Sequence, residues 1–248
     1  MFKKIIIVLA ISLLAVSGVA FARHRYIPPP PPPPTNATLV TNEYAYWHPN
    51  DPLSIKSPIW EMDSGSLFLK NGLYWTGVPA DKAPNYNSTT GNNSAVFRLN
   101  TKNFGYQNFT VSFNLNIVGM TTTKTTPVVN WDGVHVFLRY QSEYNLYYAS
   151  VKRRDGNMVI KKKCPGGVSN NGTYYDLSSY TKLNTPSNIK VSIQNQTDGS
   201  VKIDIYNGNT IILTGIDKGI GCSVISRAGA TGIRGDNTQF YFGSFTIQ

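Results

Sequence analysis

Residues 109–117 read Phe109-Thr110-Val111-Ser112-Phe113-Asn114-Leu115-Asn116-Ile117, so apolar and polar side chains alternate without a break. A period of two residues is typical of a half-buried β-strand, because successive side chains of a strand point to opposite faces of its sheet. This stretch therefore predicts a strand with one face in a core and the other toward polar surroundings.

The same alternation recurs downstream at residues 134–139, 189–194 and 201–206. Asp-Gly or Asn-Gly pairs at 155–156, 198–199 and 207–208 are the pairs that tight hairpin turns prefer. Shorter candidate strands are residues 66–69, 95–99, 146–153, 158–163, 210–214, 229–234 and 240–247. About eleven to thirteen strands without a sustained helical stripe predict an all-β fold, a sandwich or barrel of antiparallel sheets.

The composition agrees with strands and bounds the partners. The 248 residues include 15 Tyr and 11 Phe, and 23 Lys and Arg outnumber 13 Asp and Glu to give a formal charge of +10. This excess favours an anionic partner such as a uronate polysaccharide, a teichoic acid or a lipid head group. Nucleic acid is not predicted, because no binding motif accompanies the charge. The alternative is that the charge serves solubility alone.

The N-terminus resembles an export signal. Lys3 and Lys4 precede an apolar run at residues 5–19, and Ala20-Phe21-Ala22 offers a cleavage site, so residues 1–22 are a predicted signal helix. The alternative is an uncleaved membrane anchor, since the run is just long enough to span a bilayer. We expect a secreted or cell-surface protein, which contacts a membrane only through this segment and only if it is not cleaved.

Three regions follow from these patterns. Residues 1–22 are the signal peptide or anchor, residues 23–35 are a linker, and residues 36–248 are the strand-rich domain. The linker contains the unbroken proline run 28–34, which predicts a stiff polyproline II spacer.

The cysteines and histidines do not predict a metal site. Cys164 and Cys222 are the only cysteines, and in an oxidising compartment they are able to form one disulfide. Their spacing relative to the scattered His24, His48 and His135 matches no zinc pattern. No cofactor is predicted from the residues.

Several stretches resemble the concanavalin A-like lectin and glucanase jelly rolls, a group that includes laminin-G-like and family 16-like domains. They are Trp131-Asp132-Gly133-Val134-His135-Val136-Phe137-Leu138-Arg139-Tyr140, Asn145-Leu146-Tyr147-Tyr148, Asn188-Ile189-Lys190-Val191 with Gly199-Ser200-Val201-Lys202-Ile203, and Gly232-Ile233-Arg234-Gly235-Asp236-Asn237 with Phe242-Gly243-Ser244-Phe245. The resemblance covers residues 60–248 and implies an antiparallel two-sheet β-sandwich of jelly-roll type. It does not fix an activity, because such folds carry many functions.

The resemblance implies three functions to weigh. The first is a lectin-like, carbohydrate-binding domain for an extracellular or cell-wall polysaccharide. The second is a polysaccharide lyase or glycoside hydrolase, and the third is a laminin-G-like adhesion domain. Laminin-G-like relatives often hold calcium through loop acids and carbonyls, so Asp217 and Asp236 are candidate ligands if calcium binds.

The residues favour binding over catalysis. Glu61-Met62-Asp63 supplies only half of the Glu-x-Asp-x-x-Glu motif of family 16 hydrolases, and no further acid completes it. A lyase would use His135, Arg139 and Tyr148 as base, charge-neutralising group and acid. However, the motifs of jelly-roll alginate lyases are absent.

The strand pattern places several basic and aromatic residues on one predicted sheet face. If the alternate residues Val134, Val136 and Leu138 point into the core, their neighbours share the opposite face. Trp75 lies in a Gly-rich stretch where an aromatic ring is able to support a sugar. The predicted ligand-binding residues are His135, Arg139, Tyr148, Lys152, Lys161 and Trp75. The alternative is that these cations only keep an exposed sheet face soluble.

Overall fold

The computed structural model describes residues 36–80, 88–90, 94–123 and 126–248. The predicted signal segment and linker, residues 1–22 and 23–35, lie outside these ranges. No helix among the described residues has both the length and the apolar character needed to span a bilayer.

The described ranges form sixteen strands and a short helix, Glu43–Trp47. In chain order the strands are β1 (Thr38–Asn42), β2 (Trp60–Ser64), β3 (Ser66–Lys70), β4 (Leu73–Trp75), β5 (Val96–Thr101), β6 (Phe109–Met120), β7 (Gly133–Ser142), β8 (Asn145–Arg153), β9 (Asn157–Cys164), β10 (Thr173–Asp176), β11 (Thr181–Lys182), β12 (Asn188–Asn195), β13 (Val201–Asn207), β14 (Thr210–Asp217), β15 (Ala230–Asp236) and β16 (Thr238–Ile247).

The strands form two antiparallel sheets. The first has the order β1-β3-β4-β16-β6-β12-β13-β14, and the second has the order β10-β9-β8-β7-β15-β5-β2 with β11 added beside β9. The β8–β9, β12–β13 and β13–β14 neighbours are hairpins at the predicted Asp-Gly and Asn-Gly turns. The predicted all-β two-sheet sandwich is therefore confirmed, with more strands than expected, because β1, β2, β4, β10 and β11 lack a predictive pattern.

The core lies between the sheets and contains the apolar half of each alternating strand. Val111 and Phe113 of β6 are buried, whereas Thr110 and Ser112, which precede them in the alternation, are only partly covered. Val134 on β7 is buried in the same core. Each fully buried side chain of this size stabilises the fold by roughly 1.5–3 kcal/mol, so the alternation determines which face of each sheet is turned inward.

Cys164 and Cys222 form a disulfide between the end of β9 and the loop that connects β14 to β15. Beside it, the buried Lys162 ammonium lies 2.8 Å from the Asp217 carboxylate and donates to the Cys222 carbonyl oxygen at 2.6 Å. The covalent bond and the ion pair hold the long loop against the second sheet.

Candidate functional site

A cavity of about 280 Å³ opens on the outer face of the second sheet. Strands β5, β15, β7, β8, β9 and β10 contribute side chains to it. These residues alternate with core residues, so the same period that builds the core also builds the cavity. Its charged and titratable lining consists of Arg98, His135, Glu143, Lys161, Arg234 and Asp236.

Aromatic and apolar side chains form the rest of the lining: Trp131, Phe137, Leu146, Tyr148 and Tyr174. Trp131 lies in the loop before β7 and is 57% exposed, so its indole ring is available to a ligand. The Tyr148 ring makes edge-to-face contacts with His135 at 5.3 Å and with Tyr174 at 5.4 Å between ring centroids. The aromatic residues therefore include one exposed ring, Trp131, and a group of rings that hold each other in place by edge-to-face contacts.

An ion pair within β15 forms part of the cavity floor. Arg234 donates to both carboxylate oxygens of Asp236, at 2.8 Å and 2.9 Å. Burial by itself would raise the pKa of Asp236, but the adjacent Arg234 charge outweighs it and holds that pKa well below its usual range. Burial would likewise lower the pKa of Arg234, yet the carboxylate reverses this and raises it. Both groups are therefore charged at neutral pH.

His135 is a neutral ring with both nitrogens occupied. Its Nε2 lies 3.4 Å from the Asp236 carboxylate, and its Nδ1 lies 2.8 Å from the Ser150 hydroxyl oxygen. Burial lowers the pKa of His135 despite the opposing effect of Asp236. The contacts fit the tautomer in which Nε2–H donates to the carboxylate and Nδ1 accepts from Ser150, so no ring nitrogen is left to take a proton from a ligand.

Three further ion pairs neutralise the other two cations of the lining, Arg98 and Lys161. Arg98 lies 2.9 Å from Asp63 through its Nε and also pairs with Glu143. Lys161 lies 2.9 Å from Asp176. The cavity is thus charge-paired, whereas the sequence predicted a basic patch. Cross-strand partners far away in sequence cause the difference.

Three of the predicted ligand-binding residues meet in the cavity: His135, Tyr148 and Lys161. Cross-strand register brings them together. Tyr148 pairs with Lys161 on one side and with Phe137 on the other, and Phe137 follows His135 on the same face of β7. Nothing in the fold itself tests whether they bind a ligand, so that role stays a prediction.

Arg139 is separated from the cavity, contrary to its predicted place on the same face. The β7–β8 pairing is irregular between Leu138 and Ser142, and Arg139 has a φ of 47°, so strand alternation stops there. Its side chain is fully buried and donates to the carbonyl oxygens of Gln107 and Ile225, at 2.7 Å and 2.8 Å.

Trp75 and Lys152 also lie away from the cavity. Trp75 belongs to β4 of the first sheet, is 2% exposed, and packs against Tyr241 and Phe68. It is a core residue rather than an exposed sugar platform. Lys152 pairs with Val134 at a bulge and does not line the cavity, because the bulge breaks the alternation on which its placement depended.

Sequence reasoning did not assign Arg98, Glu143, Tyr174 or Arg234 to this site. Arg234 and Asp236 are two residues apart on one strand, and this Arg-x-Asp spacing is the signal that could have indicated a shared face. Arg98 pairs with Arg234 across β5 and β15. That pairing joins residues far apart in the chain, so no local pattern shows it.

No cluster of three or more potential metal-ligating side chains occurs in the part of the chain that the structure describes. The two candidate calcium ligands have other partners. Asp236 is bound by Arg234, and Asp217 lies beside Lys162 and accepts from the Tyr147 hydroxyl.

No protein-family model matches the chain, and no curated protein matches it either. Among solved structures it is similar to the carbohydrate binding module CBM66 from Bacillus subtilis, with 13% identity and a TM-score of 0.48 over 76% of this chain and 94% of that one. It is also similar to a legume lectin-like domain from Entamoeba histolytica, with 11% identity and a TM-score of 0.45 over 77% and 89%. An alginate lyase from Klebsiella pneumoniae has 12% identity and a TM-score of 0.38 over 73% and 83%.

Proposed function

We propose that the chain is a lectin-like domain that binds a saccharide in the cavity of the second sheet. The observation that carries this proposal is the position of the exposed Trp131 ring beside the fixed Arg234–Asp236 pair. One concave site thereby contains an apolar surface and a polar group that both donates and accepts hydrogen bonds.

The chemistry of a sugar ring fits this combination. Its hydroxyl groups each donate and accept hydrogen bonds, and its C–H faces are apolar. Arginine supplies donors only and an ionised carboxylate supplies acceptors only, so an Arg–carboxylate pair is able to serve both halves of a hydroxyl group. Charge pairing also keeps these side chains in place before the ligand arrives, which lowers the entropic cost of binding.

The protonation states favour binding over cleavage. A glycoside hydrolase needs one carboxylic acid whose raised pKa keeps it protonated. Of the two carboxylates that line the cavity, Asp236 is held ionised by Arg234. For Glu143, burial acts upward on the pKa, but Tyr144 and Arg98 outweigh it and lower the pKa. The predicted lyase base is His135, whose two nitrogens are occupied.

One observation supports an enzyme as the second candidate. Burial raises the pKa of Asp63, against the effect of Arg98, and Asp63 shares Arg98 with Glu143 of the cavity. A hydrolase uses two carboxyl groups with unequal pKa values, and here one of the two, Asp63, lies outside the cavity lining. Incubation with polysaccharides, with detection of new reducing ends and of the absorbance of unsaturated ends, tests it. Release of either product would replace the binding proposal with an enzymatic one.

We also propose that this binding takes place outside the cytoplasm, on an extracellular or cell-wall polysaccharide. The apolar segment at residues 5–19 and the disulfide between Cys164 and Cys222 support this location. Fractionation of cells that express the full chain, with N-terminal sequencing of the product, distinguishes cleavage after Ala22 from retention as an anchor. A laminin-G-like adhesion function remains an expectation of the sequence resemblance alone.

Replacement of the exposed tryptophan tests the binding site. We expect Trp131→Ala to weaken retention on the glycans of an array by roughly threefold to tenfold, which corresponds to about 0.5–1.5 kcal/mol for one aromatic contact. Trp47→Ala is the matched control, because Trp47 is 50% exposed and lies in the helix Glu43–Trp47, outside the cavity. Equal retention by both variants and the wild type would refute the site.

A further inference from the structure

On the outer face of the second sheet, the charge of Lys163 has no acidic partner among the described residues. Arg98, Lys161 and Arg234 on this face each pair with a carboxylate. For Lys163 the described part of the chain provides neither a salt bridge nor a hydrogen-bond acceptor for its ammonium group.

Lys163 lies beside the cavity, next to two of its lining residues. Strand alternation turns Lys162 inward to Asp217 and turns Lys161 and Lys163 to the outer face. Lys163 is directly paired with Leu146 on β8 and with Tyr174 on β10, and both of these neighbours line the cavity.

The ammonium group lies close to two aromatic rings and has no hydrogen-bond acceptor among the described residues. Lys163 is 8% exposed, and its Nζ lies 5.0 Å from the Tyr144 ring centroid and 4.9 Å from that of Tyr174. Gly172 packs so closely that a Cβ there would lie 2.7 Å from the Lys163 Cε. Two ring faces stabilise a cation, but they are poor acceptors for its three N–H donors.

The surroundings weaken the charged form of this lysine. Burial, followed by the charges of Arg234 on β15 and Arg98 on β5, lowers the pKa of Lys163 to about 8, and Glu143 opposes them in part. Glu143 pairs with Arg98, and Asp176 on β10 pairs with Lys161. The carboxylates around Lys163 are thus engaged by other cations.

We infer that Lys163 binds a carboxylate or sulfate substituent of the saccharide, so that the ligand class is an acidic glycan. The inference rests on the proposed saccharide-binding function and assigns to the same site a position for the negative charge. An anion would accept hydrogen bonds from the three free N–H groups and would restore the stability of the charged form. The neighbouring paired groups would meet the hydroxyls of the same ring.

The test compares wild-type protein with Lys163→Met on an array of neutral, carboxylated and sulfated oligosaccharides. We expect the wild type to retain acidic glycans preferentially and Lys163→Met to lose that preference by about tenfold or more, from the charge-assisted hydrogen bonds removed. The carboxylated and sulfated arms identify which anion is bound. Lys190→Met is the matched control, because Lys190 lies 4.8 Å above the Tyr206 ring on the first sheet.

A pH series provides a second readout that does not depend on the array. Affinity of the wild type for an acidic glycan should fall as pH rises through about 8, by about tenfold per pH unit, because binding then requires the lysine to take up a proton. Arg98 and Arg234 have raised pKa values and Glu143 has a lowered one, so these neighbours keep their charges over this range. Lys163→Arg, which stays protonated, should lose the pH dependence.

The outcomes separate this inference from the proposed function. Retention of neutral glycans alone, or equal retention of acidic glycans by Lys163→Met with an unchanged melting temperature, would overturn the inference and leave saccharide binding intact. If Lys163→Met has a lowered melting temperature, the pH series of the wild type is the test instead. An affinity for acidic glycans that does not change with pH would then overturn the inference. No retention of any glycan would overturn both.

Discussion

His135 illustrates how single residues of the cavity are fixed by their neighbours. It is 3% exposed, its ring is neutral, and Asp236 and Ser150 hold its two nitrogens. The same Asp236 holds Arg234. A change at one of these residues therefore alters the hydrogen bonding of the others, and the cavity floor behaves as one network.

The lowered pKa of His135 predicts a pH-dependent stability. Because the folded ring resists protonation, the unfolded chain binds an extra proton below the ordinary pKa of about 6.5, and stability should fall as the pH drops below about 6.5. Each pH unit should remove up to about 1.4 kcal/mol of unfolding free energy. His135→Gln should show a flatter profile in urea denaturation across this interval. An identical slope in both proteins would show that His135 is protonated in the folded state.

At the scale of elements, the irregular part of β7 joins segments that are far apart in sequence. Arg139 donates to Gln107 before β6, to Asn195 at the end of β12, and to Ile225 in the loop before β15. Burial lowers the pKa of this arginine to about 10, which leaves it charged at neutral pH. Its contacts place it in the framework that supports the sheets rather than in the cavity.

Arg139→Met should therefore destabilise the protein without altering the site. Its loss leaves buried carbonyl and amide oxygens without a donor, and we expect the unfolding free energy to drop by more than about 3 kcal/mol. Arg227→Met is the control, since Arg227 is exposed in the same loop as Ile225 and should change stability by less than about 0.5 kcal/mol. Urea denaturation measures both. Loss of glycan retention by folded Arg139→Met would return Arg139 to the binding site.

At the scale of the whole molecule, two links attach the end of β14 and the loop that follows it to the second sheet. The disulfide joins positions 58 residues apart, and the Lys162–Asp217 pair is buried beside it. Strand β9 therefore contacts the loop through its inner face and carries Lys161 and Lys163 on its outer face. The order of the cavity wall depends on this attachment.

Removal of the disulfide should lower stability more than it changes the fold. Cross-linking residues at this separation reduces the entropy of the unfolded chain by an amount equivalent to about 4 kcal/mol. The double replacement Cys164→Ser with Cys222→Ser should lose about that much unfolding free energy in denaturation experiments. Reductant should reproduce the loss in the wild type and leave the double variant unchanged. A wild type insensitive to reductant while unfolded would contradict the assignment.

The sequence by itself determined the local structure. Alternation at residues 109–117 and 134–138, with the Asp-Gly and Asn-Gly turns, predicted strands with one buried face and hairpins in a sandwich or barrel of antiparallel sheets, because strand periodicity is a property of consecutive residues. The resemblance to jelly rolls narrowed this prediction to a two-sheet sandwich. Alternation also placed His135, Tyr148 and Lys161 on one face, since each of them lies within a regular stretch.

Only the tertiary structure decided the character of the site. Which carboxylate neutralises which cation depends on register between strands that are distant in the chain, as between Arg98 and Asp63. Bulges removed Arg139 and Lys152 from the face, and packing between β3, β4 and β16 buried Trp75. Bulges and ion pairs form where they lower the energy of the assembled sheets, and no local sequence pattern specifies them. Lys163 is therefore recognised as unpaired only when the partners of Arg98, Lys161 and Arg234 on the same face are known.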